Sequence, residues 1–118
     1  MDLSVNARRV DDVVILDLAG RLTLGEPVLL LREIVRTHTS DGSRKFILNL
    51  AGVPYIDSSG LGELLTSYAT VKNKGGGMKL LKPEARTAQL IQLTRLDGVI
   101  AVFHDENAAI AALQPSAT

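Results

Sequence analysis

The chain has 118 residues, with 13 Lys and Arg against 13 Asp and Glu, and no cysteine. This length predicts one domain burying roughly two-thirds of the surface of its unfolded chain, and 46% hydrophobic with only 3% aromatic residues predicts an aliphatic core. Balanced charge excludes the basic surface that nucleic acid requires, and the missing cysteines exclude disulfides, thiolate nucleophiles and Cys-ligated zinc and fit a reducing compartment.

The start, Met1-Asp2-Leu3-Ser4, carries an acid where a signal peptide carries bases. The longest unbroken apolar run, Ala108 to Leu113, is far too short to span a bilayer. The expected location is cytoplasmic, with no direct membrane insertion. Leu3, Val5 and Ala7 alternate with Ser4, Asn6 and Arg8, the period of a half-buried strand. After the polar Asp11-Asp12, the β-branched run Val13 to Leu18 ends at Gly20, so the two stretches read as an antiparallel hairpin. Gly25-Glu26-Pro27 suits a first helical turn, followed by Val28, Leu31, Ile34 and Val35 at helical spacing with Arg32, Glu33 and Arg36 on the wet side. Asp41-Gly42 breaks that helix, and Arg44 to Leu50 is a nearly continuous apolar run typical of a strand covered on both faces. Within it, Asn49 is expected as a buried amide paired with a neighbouring loop.

Past Val53-Pro54-Tyr55-Ile56, a helix carries Leu61, Leu64, Leu65, Tyr68 and Val71 on one stripe and stops at Gly75-Gly76-Gly77. Met78 to Lys82 is a short strand, Pro83-Glu84 opens a helix with Leu90, Ile91 and Leu93, and Val99 to Phe103 is a last strand. Asp105 caps an Ala-rich helix ending at Leu113. Strands separated by helices need crossovers, so the sheet is expected to be mostly parallel after the hairpin, in one α/β domain over residues 1–113 with a frayed tail over 114–118.

Functional loops of such a sheet lie beyond the carboxyl ends of its strands, where helices begin. One junction stands out: Asp57-Ser58-Ser59-Gly60-Leu61-Gly62 follows the third strand and opens a helix. Asp before Ser-Ser reads as an N-cap. The same helix start also suits added negative charge, because orphan N–H groups and the positive end of the helix dipole meet there. A catalytic serine fits poorly. The nucleophile-elbow pattern needs Gly two residues before the Ser, and Ile56 and Asp57 stand there. The two histidines, His38 and His104, have no evident route to Ser58, and no Glu-x-x-His or His-x-x-x-His spacing points to metal. The triple glycine follows a helix and precedes a strand, the reverse of a phosphate-cradling loop. No catalytic residue, cofactor or metal is expected.

The stretch Phe46 to Gly62, with Asp57-Ser58-Ser59-Gly60-Leu61-Gly62 at its end, resembles the signature of the STAS domain of bacterial anti-sigma factor antagonists. Gly20-Arg21-Leu22, the glycine turn before Met78 and the closing strand and helix match that family too, so the resemblance covers nearly all of the chain. It implies a mixed sheet of four to five strands with about four helices packed mainly on one side. It also implies a partner switch without turnover of its own. Unmodified, the antagonist binds an anti-sigma factor and frees the sigma factor; that anti-sigma factor, often a serine kinase holding the ATP and magnesium, phosphorylates it, and a phosphoserine phosphatase resets it. By position the phosphoacceptor is Ser58, and Asp57, Ser59, Gly60, Leu61 and Gly62 shape the docking surface. The family often has an acid after the Gly-x-Leu, where this chain has Thr23 preceded by Arg21. A less acidic rim of Arg21 and Thr23 implies a different kinase surface, with Arg21 expected to stabilise the phosphorylated form if it points toward Ser58. The alternative is a STAS scaffold that works without phosphorylation, in a sensory complex or beside a lipid or anion transporter. A monomer or weak dimer is expected.

Overall fold

The computed structural model describes residues 2–115. β1 (Ser4–Val10) turns at Asp11, which takes a left-handed φ of 54°, and pairs antiparallel with β2 (Val13–Ala19) from Val10 opposite Val13 to Ser4 opposite Ala19. β2 pairs parallel with β3 (Lys45–Gly52), β3 with β4 (Gly77–Leu81), and β4 with β5 (Val102–Phe103). The sheet runs β1-β2-β3-β4-β5, with α1 (Glu26–Ser40), α2 (Ser58–Asn73) and α3 (Ala85–Leu93) as its crossovers. Strand order that never reverses, joined by crossovers of one hand, puts all three helices on one face.

The pleat sorts the core accordingly. Leu16, Leu48 and Leu80 point to the face that packs on Leu31 and Val35 of α1, Leu64 and Val71 of α2, and Ile91 of α3. Val13, Ile15, Ile47 and Leu81 point the other way and are covered by Ala109 of α4 (Glu106–Ala112). Asp105 caps α4 as the sequence predicts, accepting the Ala108 N–H at 2.9 Å. The mixed, mostly parallel sheet with helices mainly on one side is therefore observed. Gln114 bonds to Lys45 and Asp12, while Met1 and residues 116–118, the rest of the expected tail, lie outside the described residues.

Several side chains differ from expectation. In α2 the buried stripe is Gly60, Glu63, Leu64, Ser67 and Val71, and Leu65 is exposed. The cause is a polar clamp between helices. Arg32, expected in water, donates to Glu63 Oε1 from Nε at 3.0 Å and Nη2 at 2.7 Å, and Ser67 Oγ donates to Glu63 Oε2 at 3.1 Å. Asn49 is half-buried and bonds to a neighbouring strand instead of a loop: it donates to Asp17 Oδ1 at 2.8 Å. Asp17 in turn receives Arg8, which also reaches Glu106 and so ties α4 to the sheet. The last strand is shorter than Val99–Phe103 because a 3-10 turn at Leu96–Gly98 draws the Val99 and Ile100 N–H groups to the Leu96 carbonyl. Val99 is exposed, as is Leu93 at the end of α3.

Candidate functional site

The site forms where two segments leave the sheet side by side. Beyond β2, Leu22 makes a parallel bridge with Ile56, donating its N–H to the Tyr55 carbonyl at 3.1 Å. Its own carbonyl accepts from the Asp57 N–H at 3.4 Å. Asp57 has extended backbone and caps α2 through Oδ1, which accepts the Gly60 N–H at 2.8 Å, while Oδ2 accepts the Leu24 N–H at 3.0 Å. The N-cap reading is thus observed, and the second oxygen adds a tie to the β2–α1 loop. Backbone N–H groups, that of Leu24 foremost and then Gly60 and Ser59, hold the Asp57 carboxyl below the ordinary carboxylate range. Its negative charge is committed to holding two loops together.

Ser58 is the first residue of α2 and is exposed, and its hydroxyl makes no hydrogen bond among the described residues. Ser59 is half-buried. Gly60 is buried because the Leu22 strand crosses directly above it: a Cβ there would collide with the Leu22 carbonyl oxygen. Leu61 packs partly against the core, and Gly62 faces open space with nothing within 4 Å of a Cβ. Residues 57–62 therefore present the exposed Ser58 hydroxyl, with that of Ser59 half-buried beside it, on a glycine-lined helix start whose backbone N–H groups and dipole favour negative charge.

The rim residues divide. Thr23 is half-buried between Leu22 and Leu24, both of which bond to the 55–57 segment, so it sits beside the α2 start. Arg21 is exposed with its guanidinium 4.9 Å from the centre of the Tyr55 ring, a cation–π contact three residues before Ser58. Arg86, at the start of α3, lies 5.9 Å from the same ring. Tyr55, Arg86 and Leu24 were not singled out by the sequence. Leu24, exposed between Thr23 and Gly25, carried a faint signal as an apolar residue in a loop; Arg86 carried none, because only the β4–α3 crossover brings it to Tyr55. The histidines lie apart. His38 is at the far end of α1, its Nδ1 2.9 Å from the Ile34 carbonyl oxygen, and His104 follows β5, two strands from β3.

A family model of the STAS domain matches residues 4–109. The chain belongs to the STAS domain family. An anti-sigma-B factor antagonist of Bacillus subtilis is 25% identical over 100 residues, 85% of this chain and 90% of that protein. A crystal structure of a Thermotoga maritima protein provisionally assigned as an anti-sigma factor antagonist superposes with a TM-score of 0.87 at 27% identity, over 94% of this STAS domain and 95% of that chain. The Bacillus cell fate determinant SpoIIAA, solved in its phosphorylated form, shares the fold, with a TM-score of 0.72 at 23% identity over 94% of this chain and 100% of that one. Among the described residues no helix of this STAS domain is long and apolar enough to cross a membrane.

Proposed function

We propose that this STAS domain is an anti-sigma factor antagonist controlled by phosphorylation of Ser58. The start of α2 binds an anti-sigma factor that is also a serine kinase; phosphate on Ser58 ends that binding, and a phosphoserine phosphatase restores it. The observation that carries the reading is the Ser58 hydroxyl, exposed and without a bond at the start of α2, beside an Asp57 carboxylate whose two oxygens are both engaged. The name of the Bacillus subtilis relative and the phosphorylated form of SpoIIAA support it.

The same group acts oppositely on fold and interface. A phosphate of about −1.5 to −2 charges is favoured at a helix N-terminus, so the domain stays folded. Against a docked partner it must be desolvated next to the Asp57 anion, and a hundredfold loss of affinity requires only about 2.8 kcal/mol. Ser59, Gly60, Leu61, Gly62 and Thr23 shape the contact. Arg21, held over Tyr55, supplies positive charge to the rim; neither it nor Arg86 forms a salt bridge among the described residues.

Incubation with the anti-sigma factor kinase and magnesium-ATP, followed by phosphopeptide mapping, should place phosphate on Ser58. In titration calorimetry Ser58→Ala should bind as tightly as the parent chain, and Ser58→Asp at least tenfold more weakly. Phosphate on Ser59, or equal affinities for the two variants, overturns the assignment.

A further inference from the structure

A second surface, separate from the start of α2, runs along the outer side of α1. This helix buries Val28, Leu31 and Val35, yet Leu29 remains 57% exposed and Leu30 38%. Glu26, Leu29, Leu30 and Glu33 have the i, i+3, i+4, i+7 spacing of one helical stripe. With Pro27 they line a cleft of about 510 Å3 completed by Asp2 and Leu3. Its apolar part is Leu3, Pro27, Leu29 and Leu30. Its charged groups, Asp2, Glu26 and Glu33, are all acidic, and none of them forms a salt bridge among the described residues. Contiguous exposed apolar surface, unlike singly scattered side chains, marks interaction sites, and Leu29 and Leu30 are adjacent and line one cleft. On a chain of zero net charge, three carboxylates without a salt bridge among the described residues, set around an apolar trough, give the sign of what belongs there.

We propose that the α1 cleft docks an amphipathic helix of a partner protein, with apolar side chains flanked by Lys or Arg. Glu26 and Glu33 are two turns apart, about 10 Å along the axis. Cations seven residues apart on the docked helix can therefore reach both while the side chains between them cover Leu29 and Leu30, the helix-in-groove mode of recognition. The same carboxylates repel an anionic membrane surface. They also oppose face-to-face pairing of two copies, which would bring three acids of each together. The cleft does not include Ser58, although its Glu26 and Pro27 follow closely on Leu24, which bonds to Asp57.

The probe is a fluorescein-labelled leucine–lysine peptide of about four helical turns, apolar on one face, beside its glutamate-for-lysine counterpart. Fluorescence anisotropy should show saturable binding of the lysine peptide alone. Glu33→Gln should weaken it severalfold and the double variant Leu29→Ser, Leu30→Ser at least tenfold, and the amide shifts of labelled protein should cluster at residues 2–3 and 26–33. These outer side chains are exposed, so both variants should keep the parent's circular dichroism; an unfolded double variant leaves Glu33→Gln and the shift map to decide. Equal affinity of parent and Glu33→Gln, binding of the glutamate peptide, or shifts centred on the start of α2 would overturn the proposal. So would a concentration-dependent dimer in sedimentation velocity that the double leucine variant abolishes, since the occupant is then a second copy.

Discussion

Arg32→Ala should destabilise this STAS domain far more than Glu63→Gln, although both break the same ion pair. Glu63 is 2% exposed, and its carboxylate accepts two bonds from Arg32 and one from Ser67. Without Arg32 a desolvated anion keeps only a hydroxyl donor, and breaking a buried pair from this side costs about 3–5 kcal/mol. Glu63→Gln instead leaves a guanidinium whose side chain is 39% exposed and can turn to water, while the new amide oxygen still accepts from Ser67; the loss is about 1–2 kcal/mol. At roughly 4 °C per kcal/mol for a chain of this size, Arg32→Ala should lower Tm by about 12–20 °C and Glu63→Gln by about 4–8 °C. Adding Glu63→Gln to Arg32→Ala should recover part of the loss by removing the unpaired anion. The assay is thermal and urea unfolding followed by far-UV circular dichroism, the chain having no Trp. Equal costs for the two single variants, or an Arg32→Ala cost below about 1 kcal/mol, would refute this account of the buried pair. The clamp matters for the site as well. Five positions separate Ser58 from Glu63, about 140° around the helix, so burying Glu63 against α1 turns Ser58 outward.

Gly60→Ala should cost about 1–3 kcal/mol, because the added methyl meets the Leu22 backbone and Ile56 Cγ1 at 2.7 Å; Gly62→Ala, in open space, should instead stabilise the helix by about 1 kcal/mol. Paired urea midpoints check both, and a Gly60→Ala as stable as the parent would show that the Leu22 segment can move aside. Arg8 hydrogen bonds hold the Asp17 and Glu106 carboxyls below their ordinary range. Groups depressed in the folded state stabilise it above their unfolded pKa and lose that contribution as pH falls through the folded value, here below about pH 4. Arg8→Ala should therefore flatten the acid limb of a stability–pH profile; an unchanged limb would assign acid sensitivity to other carboxylates.

How much of this was legible depends on the distance over which each feature is decided. Strand alternation in β1, the two-faced apolar run of β3, the Asp105 cap and the Asp57 cap at Ser58 are all written within a few residues, because backbone geometry and capping bonds involve near neighbours. The parallel sheet followed from helices lying between strands. By contrast, the α2 stripe differs from expectation at Leu65, which is exposed while Glu63 is buried, since hydrophobicity alone does not reveal that α1 presents Arg32 there, 31 residues away in sequence. The Arg8–Glu106 tie joins residues 98 apart, and Arg86 reaches Tyr55 only through a crossover.

The sequence by itself determined the order of elements, the aliphatic core and the place of two adjacent serines, Ser58 and Ser59, at one helix start. Tertiary structure decided which way that helix faces, that both oxygens of Asp57 are engaged and that Arg21 stacks on Tyr55. It also decided that the outer leucines of α1 stand beside acids that form no salt bridge among the described residues. Local interactions choose the conformation of a segment, but the partners of a side chain are fixed only when distant segments pack and their charges and hydrogen bonds must be satisfied together.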